Sequence, residues 1–231
     1  MPIPVSIAGA GSSGYLLIRS NRRTMAVEIN ADGAVVVRAP RRILSALIAD
    51  FVKRHADWIA LKQAEIAKRP RAEPKSCVEG EEFLFLGQTC RLHFVDAGIS
   101  KIDFDGRIQL PRTKESQARE LIEDWYRVQA WKVITKNIER RVSEMGCRPS
   151  GLRITGARQR WGSCGIRGAL NFNWRTVMAP PDIIDYIVVH EMAHLKFRGH
   201  GRDFWHFLGQ FVPRYKEMRQ WLRDNSARMA I

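Results

Sequence analysis

The chain has 231 residues, 45% of them hydrophobic and 27% charged, with a formal net charge of +14. This excludes a disordered polyelectrolyte and leaves room for one large domain or two small ones, each with a core of its own. No apolar run approaches the roughly 20 residues of a bilayer span, no basic leader precedes the apolar N-terminal stretch, and the four cysteines form no CxxC pair. The expectation is therefore a cytoplasmic protein without membrane contact, with Cys77, Cys90, Cys147 and Cys164 as reduced thiols.

Residues 1–18 begin Gly/Ser-rich and are expected to be a flexible N-terminus. Within them GAGSSG (Gly9–Gly14) fits GxGxxG, and Asp32 lies about twenty residues on, near the dinucleotide-binding expectation. The context fails, because those glycines should open a helix while YLLIRSNRRTMAVEI reads as strand. In TMAVEINADGAVVVRAP, Met25, Val27 and Ile29 alternate with other residues, ADG turns, and Val35 and Val37 alternate again, which predicts a hairpin. Leu44, Leu47, Ile48, Phe51, His55, Trp58 and Ile59 recur at helical spacing, so residues 43–67 read as one amphipathic helix. KRPRAEPKS is a linker. EEFLFLGQTCRLHFV and KIDFDGRIQLP read as strands.

From Lys114 the period is helical again. Leu121, Trp125, Val128, Ile138, Val142 and Met145 form the expected stripe, which ends at Gly146. GLRITGARQRWGSC and GALNFNWRTVMAP read as a strand pair joined through Gly165–Gly168. Pro180, Pro181 and Asp182 open the next helix, with Asp182 expected to cap it. A last helical region, 202–224, is interrupted by Pro213. The predicted class is α+β, with a β-rich subdomain over 19–112 and a second subdomain over 113–231.

The charge is unevenly spread: 17 basic and 12 acidic residues up to Arg112, then 21 and 12. No acid occurs from Met145 to Pro181, where Arg148, Arg153, Arg158, Arg160, Arg167 and Arg175 stand. Such a field attracts nucleic acid or phosphorylated ligands; the competing reading is a solvated face that aids solubility.

The chemistry concentrates in HEMAHLKFRGH (190–200), directly after the apolar DIIDYIVV. On a helix His190 and His194 share a face, roughly 6 Å apart along the axis. That spacing suits two imidazoles converging on Zn²⁺ at about 2.0–2.1 Å. Glu191, one residue on, sits beside the metal and can take a proton from the water it activates, the HExxH pattern. A catalytic zinc needs a third protein ligand and an open position. His200 is the preferred candidate, because Gly199 can adopt the left-handed conformation that ends a helix and returns the chain. His206 and Glu217 compete with it.

RWGSC (160–164), LNFNWR (170–175) and APPDIIDYIVVHEMAHLKFRGHGRDFW (179–205) resemble the YgjP-like metallopeptidases, relatives of the SprT-like zinc proteases. The likeness extends over about 19–224. It implies a minimal zincin, in which the motif helix packs on a small sheet, with His190, His194 and His200 as zinc ligands and Glu191 as catalytic base. The SprT-like relatives act on proteins attached to DNA, so the resemblance also implies protein substrates and admits a nucleic-acid partner.

Around the motif, the Trp-Gly-Ser run suggests a close backbone approach, with Trp161, Gly162 and Ser163 as cleft candidates. Asn173 and Arg175 are candidates for steadying a developing oxyanion. Arg153, Arg158, Arg160 and Arg167 are candidates for anion binding. Ser163 and Cys164 need not be nucleophiles where a metal activates water. Two rival readings remain: a metal-dependent nucleoside triphosphate hydrolase, and a nucleic-acid-binding module stapled by structural zinc.

Overall fold

The alternating valines around the ADG turn do pair. In a computed structural model describing residues 14–30, 33–67, 75–96, 98–157, 160–229 and 231, β2 (Ala26–Ile29) and β3 (Val35–Pro40) are antiparallel, with Val27 opposite Val37. Gly33 closes their turn at φ 87°, where a side chain would be strained. β3 is the central strand, because β1 (Tyr15–Ser20) joins its other edge in parallel. Tyr15–Ile18 therefore belong to a strand and not to a flexible terminus. Most of GAGSSG and Asp32 lie outside the described residues.

The single helix expected over 43–67 is two, α1 (Ser45–Arg54) and α2 (Ala56–Ala67). They break at His55, whose N–H reaches back only three residues, to the Val52 carbonyl, while its Nδ1 lies 2.7 Å from the Phe51 carbonyl. The apolar spacing continues across the break, which is why the pattern alone does not reveal it. Ile48 and Ile59 still meet Leu17, Val35, Val37 and Ala39 in one core.

The chain divides into two compact units, Met1–Pro70 and Arg71–Ile231. The boundary expected at residue 112 is thus some forty residues earlier in the chain, at the proline-bearing stretch. The reason is the second core. Phe83, Cys90, Leu92, Phe94, Ile108 and Leu110 of the middle strands are buried with Ile122, Tyr126, Phe172 and Ile184 of the C-terminal segment. The middle sheet runs β4 (Glu82–Phe85), β5 (Gln88–Val95), β7 (Ile108–Pro111), β6 (Asp103–Phe104). Tyr126 Oη donates to the Leu84 carbonyl at 2.7 Å, and Leu86 N–H to that of Val177 at 2.8 Å. These bonds tie the middle sheet to the C-terminal segment.

α3 (Ala118–Met145) ends at Gly146, whose left-handed φ of 59° lets its N–H close on the Val142 carbonyl. Trp125, Ile138 and Met145 are buried as the stripe predicts, but Val128 is exposed; Ile122, Tyr126, Ala130 and Ile134 complete the face instead. The third sheet places β10 (Ala169–Asn173) between β8 (Gly151–Thr155) and β9 (Gly162–Cys164). The anticipated strand pair is thus three strands, with β9 at the far edge of β10 from β8. β8 pairs in parallel and β9 antiparallel.

α4 (Pro181–Ala193) carries the histidines, and its residues Ile183, Ile184, Tyr186–Val189, Met192 and Ala193 are all buried. Pro181 takes the first helical position, where a missing N–H costs nothing. Asp182 is already inside the helix, one place past the first helical residue, and accepts from the N–H of Ile183 at 3.0 Å; Pro180 holds the cap position. It favours the helix dipole without being the expected cap. Arg141 of α3 reaches Asp185 of α4 with a forked pair, its Nε at 3.0 Å, and Arg140 adds a second contact to the same carboxylate. This pair anchors the motif helix to α3. All four cysteines are free. Among the described residues no helix is long and apolar enough to cross a membrane.

Candidate functional site

α4 stops one residue before His194, which itself keeps right-handed backbone at φ −68° and ψ −12°. Leu195, Lys196 and Phe197 then fold back on the helix end through N–H bonds to the carbonyls of Met192 and Ala193. Gly199 is not left-handed. The return is made by this earlier turn and not by the glycine. It leads into α5 (Arg202–Phe211) and brings His200 Nε2 to 3.1 Å from His190 Nε2.

His190, His194 and His200 each offer a ring nitrogen, and the three nitrogens lie within 4.8 Å of one another. Tetrahedral zinc with bonds of about 2.0–2.1 Å sets its ligand nitrogens roughly 3.3 Å apart, close to the His190–His200 separation. His194 Nδ1 lies 2.9 Å from the Phe197 carbonyl. A carbonyl only accepts, so Nδ1 carries the proton and Nε2 is left with its lone pair. His190 Nδ1 is buried without a partner among the described residues, so packing holds that ring. Phe204 lies 5.1, 4.7 and 4.8 Å from the rings of His190, His194 and His200. Burial lowers the His190 pKa to about 3, with His194 and His200 adding to the effect, and burial also lowers that of His200. Neutral imidazole is the form that binds a metal. The donor set fits a borderline-soft divalent ion.

Glu191 is 6% exposed. Desolvation pushes its carboxyl up to about 8, opposed by the charge of Arg160. Gly162 of β9 explains how it fits: a Cβ there would stand 2.5 Å from Glu191 Cγ and 2.7 Å from its Oε1. The close approach read from RWGSC is that of a side chain of the site itself. Gly162→Ala is expected to displace Glu191 by a few tenths of an ångström or more. It should lower kcat by at least about tenfold, since ~1 Å misplacements cost up to ~10²-fold. Measured metal content should stay at the wild-type level.

The remaining candidates separate. Trp161 is half-buried against the core, and its carbonyl accepts from Asn173 N–H at 2.8 Å. Ser163 Oγ is 3.3 Å from Asn171 Nδ2, and burial raises the Cys164 pKa; both side chains are embedded in the sheet. Asn173 is buried and committed to backbone, donating to the carbonyls of Ala157 (2.6 Å) and Arg160 (3.4 Å) and accepting from Arg175 N–H (3.0 Å). Those bonds fix Asn173 to Ala157, Arg160 and Arg175, so no amide is left over for an oxyanion. The Arg175 guanidinium lies 4.1 Å over the ring of Trp174. Of the arginine candidates, Arg160 acts on the Glu191 carboxyl, whereas Arg153 lines a separate groove with Arg127, Val128 and Trp131. Arg167 is exposed, and Arg158 lies outside the described residues. His206 is exposed near Gln210, and Glu217 is paired with Arg214 at 2.5 Å. Neither joins the triad.

Two contributors carry no sequence signal. Phe204 is an ordinary helical aromatic until the fold sets it against three imidazoles. Arg198 donates to the carbonyls of Gly165 (3.0 Å) and Ile166 (2.7 Å), fastening the β9–β10 turn to the motif loop.

Part of the chain is similar to two solved structures. One is the metallopeptidase zymogen of Pyrococcus abyssi abylysin, 20% identical, covering 42% of this chain and 99% of that one, with a TM-score of 0.39. The other is the metallopeptidase zymogen of Methanocaldococcus jannaschii jannalysin, 19% identical, covering 40% and 96%, with a TM-score of 0.37. No curated protein matches the chain significantly. The family model of the YgjP-like metallopeptidase domain matches residues 23–225, and the chain belongs to that metallopeptidase family.

Proposed function

We propose that this metallopeptidase is a minimal zincin that uses zinc, held by His190, His194 and His200, with Glu191 as general base. The observation that carries the reading is the convergence of three imidazole nitrogens within 4.8 Å beside a buried carboxylate. Among the described residues no fourth His, Cys, Asp or Glu joins that cluster; a structural site would be closed by one. Bound zinc supplies Lewis acidity, polarising the scissile carbonyl and lowering the pKa of water towards about 7.

The chain's own groups do the rest. Glu191 receives the proton of the attacking water on its carboxylate and delivers it to the leaving amine. Its burial keeps competing solvent away from that proton. Among the described residues β9 lies at the edge of its sheet and pairs with β10 alone, so its other edge can take an extended substrate as a further strand. Of the acid-free segment, Arg160 is the arginine whose charge acts on Glu191.

The test is one zinc-loaded sample assayed on an unstructured protein, on a DNA-bound protein and on nucleoside triphosphates. Cleavage of the unstructured protein is expected. Faster cleavage of the DNA-bound protein would assign the basic segment to a nucleic-acid partner. Release of phosphate with both proteins left intact would refute the peptidase reading in favour of nucleotide hydrolysis.

A further inference from the structure

α6 (Tyr215–Asn225) comes after α5 and borders a cleft of about 370 Å³ lined by Trp205, Tyr215, Lys216, Arg219 and Arg223. The three cations stand at i, i+3 and i+7, one face of a helix. Among the described residues none of them is ion-paired to a carboxylate. The acids of α6 are engaged elsewhere: Glu217 with Arg214, and Asp224 with Gln220 at 2.8 Å. The Arg223 guanidinium donates to the Gln220 side-chain oxygen, and the Arg219 guanidinium lies 5.5 Å from the Trp205 ring centroid. Like charges on one helix face repel, so the cluster is worse off without an anion than with one.

The cleft adjoins the histidines through Trp205. That ring stacks with His200 at 5.6 Å and with Tyr215 at 5.1 Å, and lies 6.0 Å from His190. A substrate whose bond sits at the triad therefore has a neighbouring part within reach of three cations. An unmodified polypeptide offers one kind of anion there near neutral pH, a carboxylate, either on an Asp or Glu side chain or at the C-terminus. Guanidinium forks match that group in two parallel hydrogen bonds, and the Tyr215 hydroxyl is a further donor.

We propose that Lys216, Arg219 and Arg223, over the aromatic floor of Trp205 and Tyr215, form a carboxylate-binding subsite that selects peptides carrying an acidic group close to the cleaved bond. This rests on the peptidase reading.

The experiment uses internally quenched peptides that differ only by Glu or Gln at each position flanking the scissile bond, each made with a free and with an amidated C-terminus. Zinc-loaded wild type is expected to cleave one acidic member with kcat/KM about tenfold or more above its neutral partner, the size of one charge-assisted hydrogen bond. The position, or the terminus, that carries this preference identifies the source of the carboxylate. The ratio should fall towards one in Lys216→Gln/Arg219→Gln. It should fall in Lys216→Gln/Arg223→Gln as well, which leaves the Arg219–Trp205 stack in place. Binding of the same peptides to zinc-loaded Glu191→Gln protein, by calorimetry, supplies a readout without turnover. An acidic peptide that binds in a charge-dependent way yet is never cut would keep the subsite and reject the peptidase reading. A wild type indifferent to charge at every position, or a preference that survives both double variants, overturns the subsite.

Discussion

Glu191→Gln is expected to abolish most peptide hydrolysis, by about 10²–10⁴-fold in kcat, while zinc content stays at the wild-type level. The amide keeps the size and shape of the carboxylate, so it should occupy the same slot against Gly162. It cannot receive a proton, and no other carboxylate joins the triad among the described residues. Zinc analysis beside single-turnover kinetics checks both halves. Retained turnover with full metal would falsify the general-base assignment.

The same variant has a consequence for stability in the metal-free protein. Glu191 is held at about 8 in the fold by desolvation, against an ordinary 4.5. A carboxyl with a raised folded pKa binds its proton more tightly folded than unfolded, so its contribution is full below pH 4.5 and is lost as pH rises towards 8. At roughly 1.4 kcal/mol per pKa unit, the rise from 4.5 to about 8 gives wild type a cost of up to ~4 kcal/mol near pH 8 that glutamine does not carry. Metal-free Glu191→Gln should therefore melt several degrees above wild type at pH 8 and close to it at pH 5. Equal melting of the two proteins at both pH values would mean that the carboxyl is solvated.

Removal of His194 or His200 is expected to cost more zinc affinity than the roughly 10–100-fold typical of an outer-shell partner, because each removes a nitrogen of the cluster. Elemental analysis after dialysis should find His194→Ala and His200→Ala depleted and His206→Ala still loaded. His206 is exposed on α5 and faces Gln210. Of the two depleted variants, His200→Ala should keep more of its metal-free stability: His200 is exposed, whereas His194 is half-buried and bonded to the Phe197 carbonyl. Zinc retained in His200→Ala but lost in His206→Ala would move the third ligand to α5.

Much of this site was legible in the residues. HExxH spacing is helical arithmetic, and the apolar turns of DIIDYIVV place the helix in a core whatever surrounds it. The sequence favoured His200 over His206 and Glu217 as the residue to join His190 and His194, and the three nitrogens do converge, though not by the device expected. The bend that returns His200 is made by backbone bonds at residues 195–197, where no glycine marks it. RWGSC signalled a close approach without saying to what. The partner, Glu191, is twenty-nine positions downstream, and only the packing of β9 on α4 brings the two together. Asn173 shows the opposite case: an amide near the HExxH motif suggests an oxyanion donor, yet its bonds are consumed by the backbone of Ala157, Arg160 and Arg175.

The sequence alone determined the metal-binding pattern, the α+β class, the hairpin turn at Gly33 and the end of α3 at Gly146. Each depends on local geometry: the pitch of a helix, the alternation of a strand, the left-handed freedom of glycine. The tertiary structure decided where the two units divide, which edge β9 occupies, and which arginines and aromatics surround the triad. Those outcomes depend on contacts between residues far apart in the chain, and no short window of sequence carries the free energy that selects them.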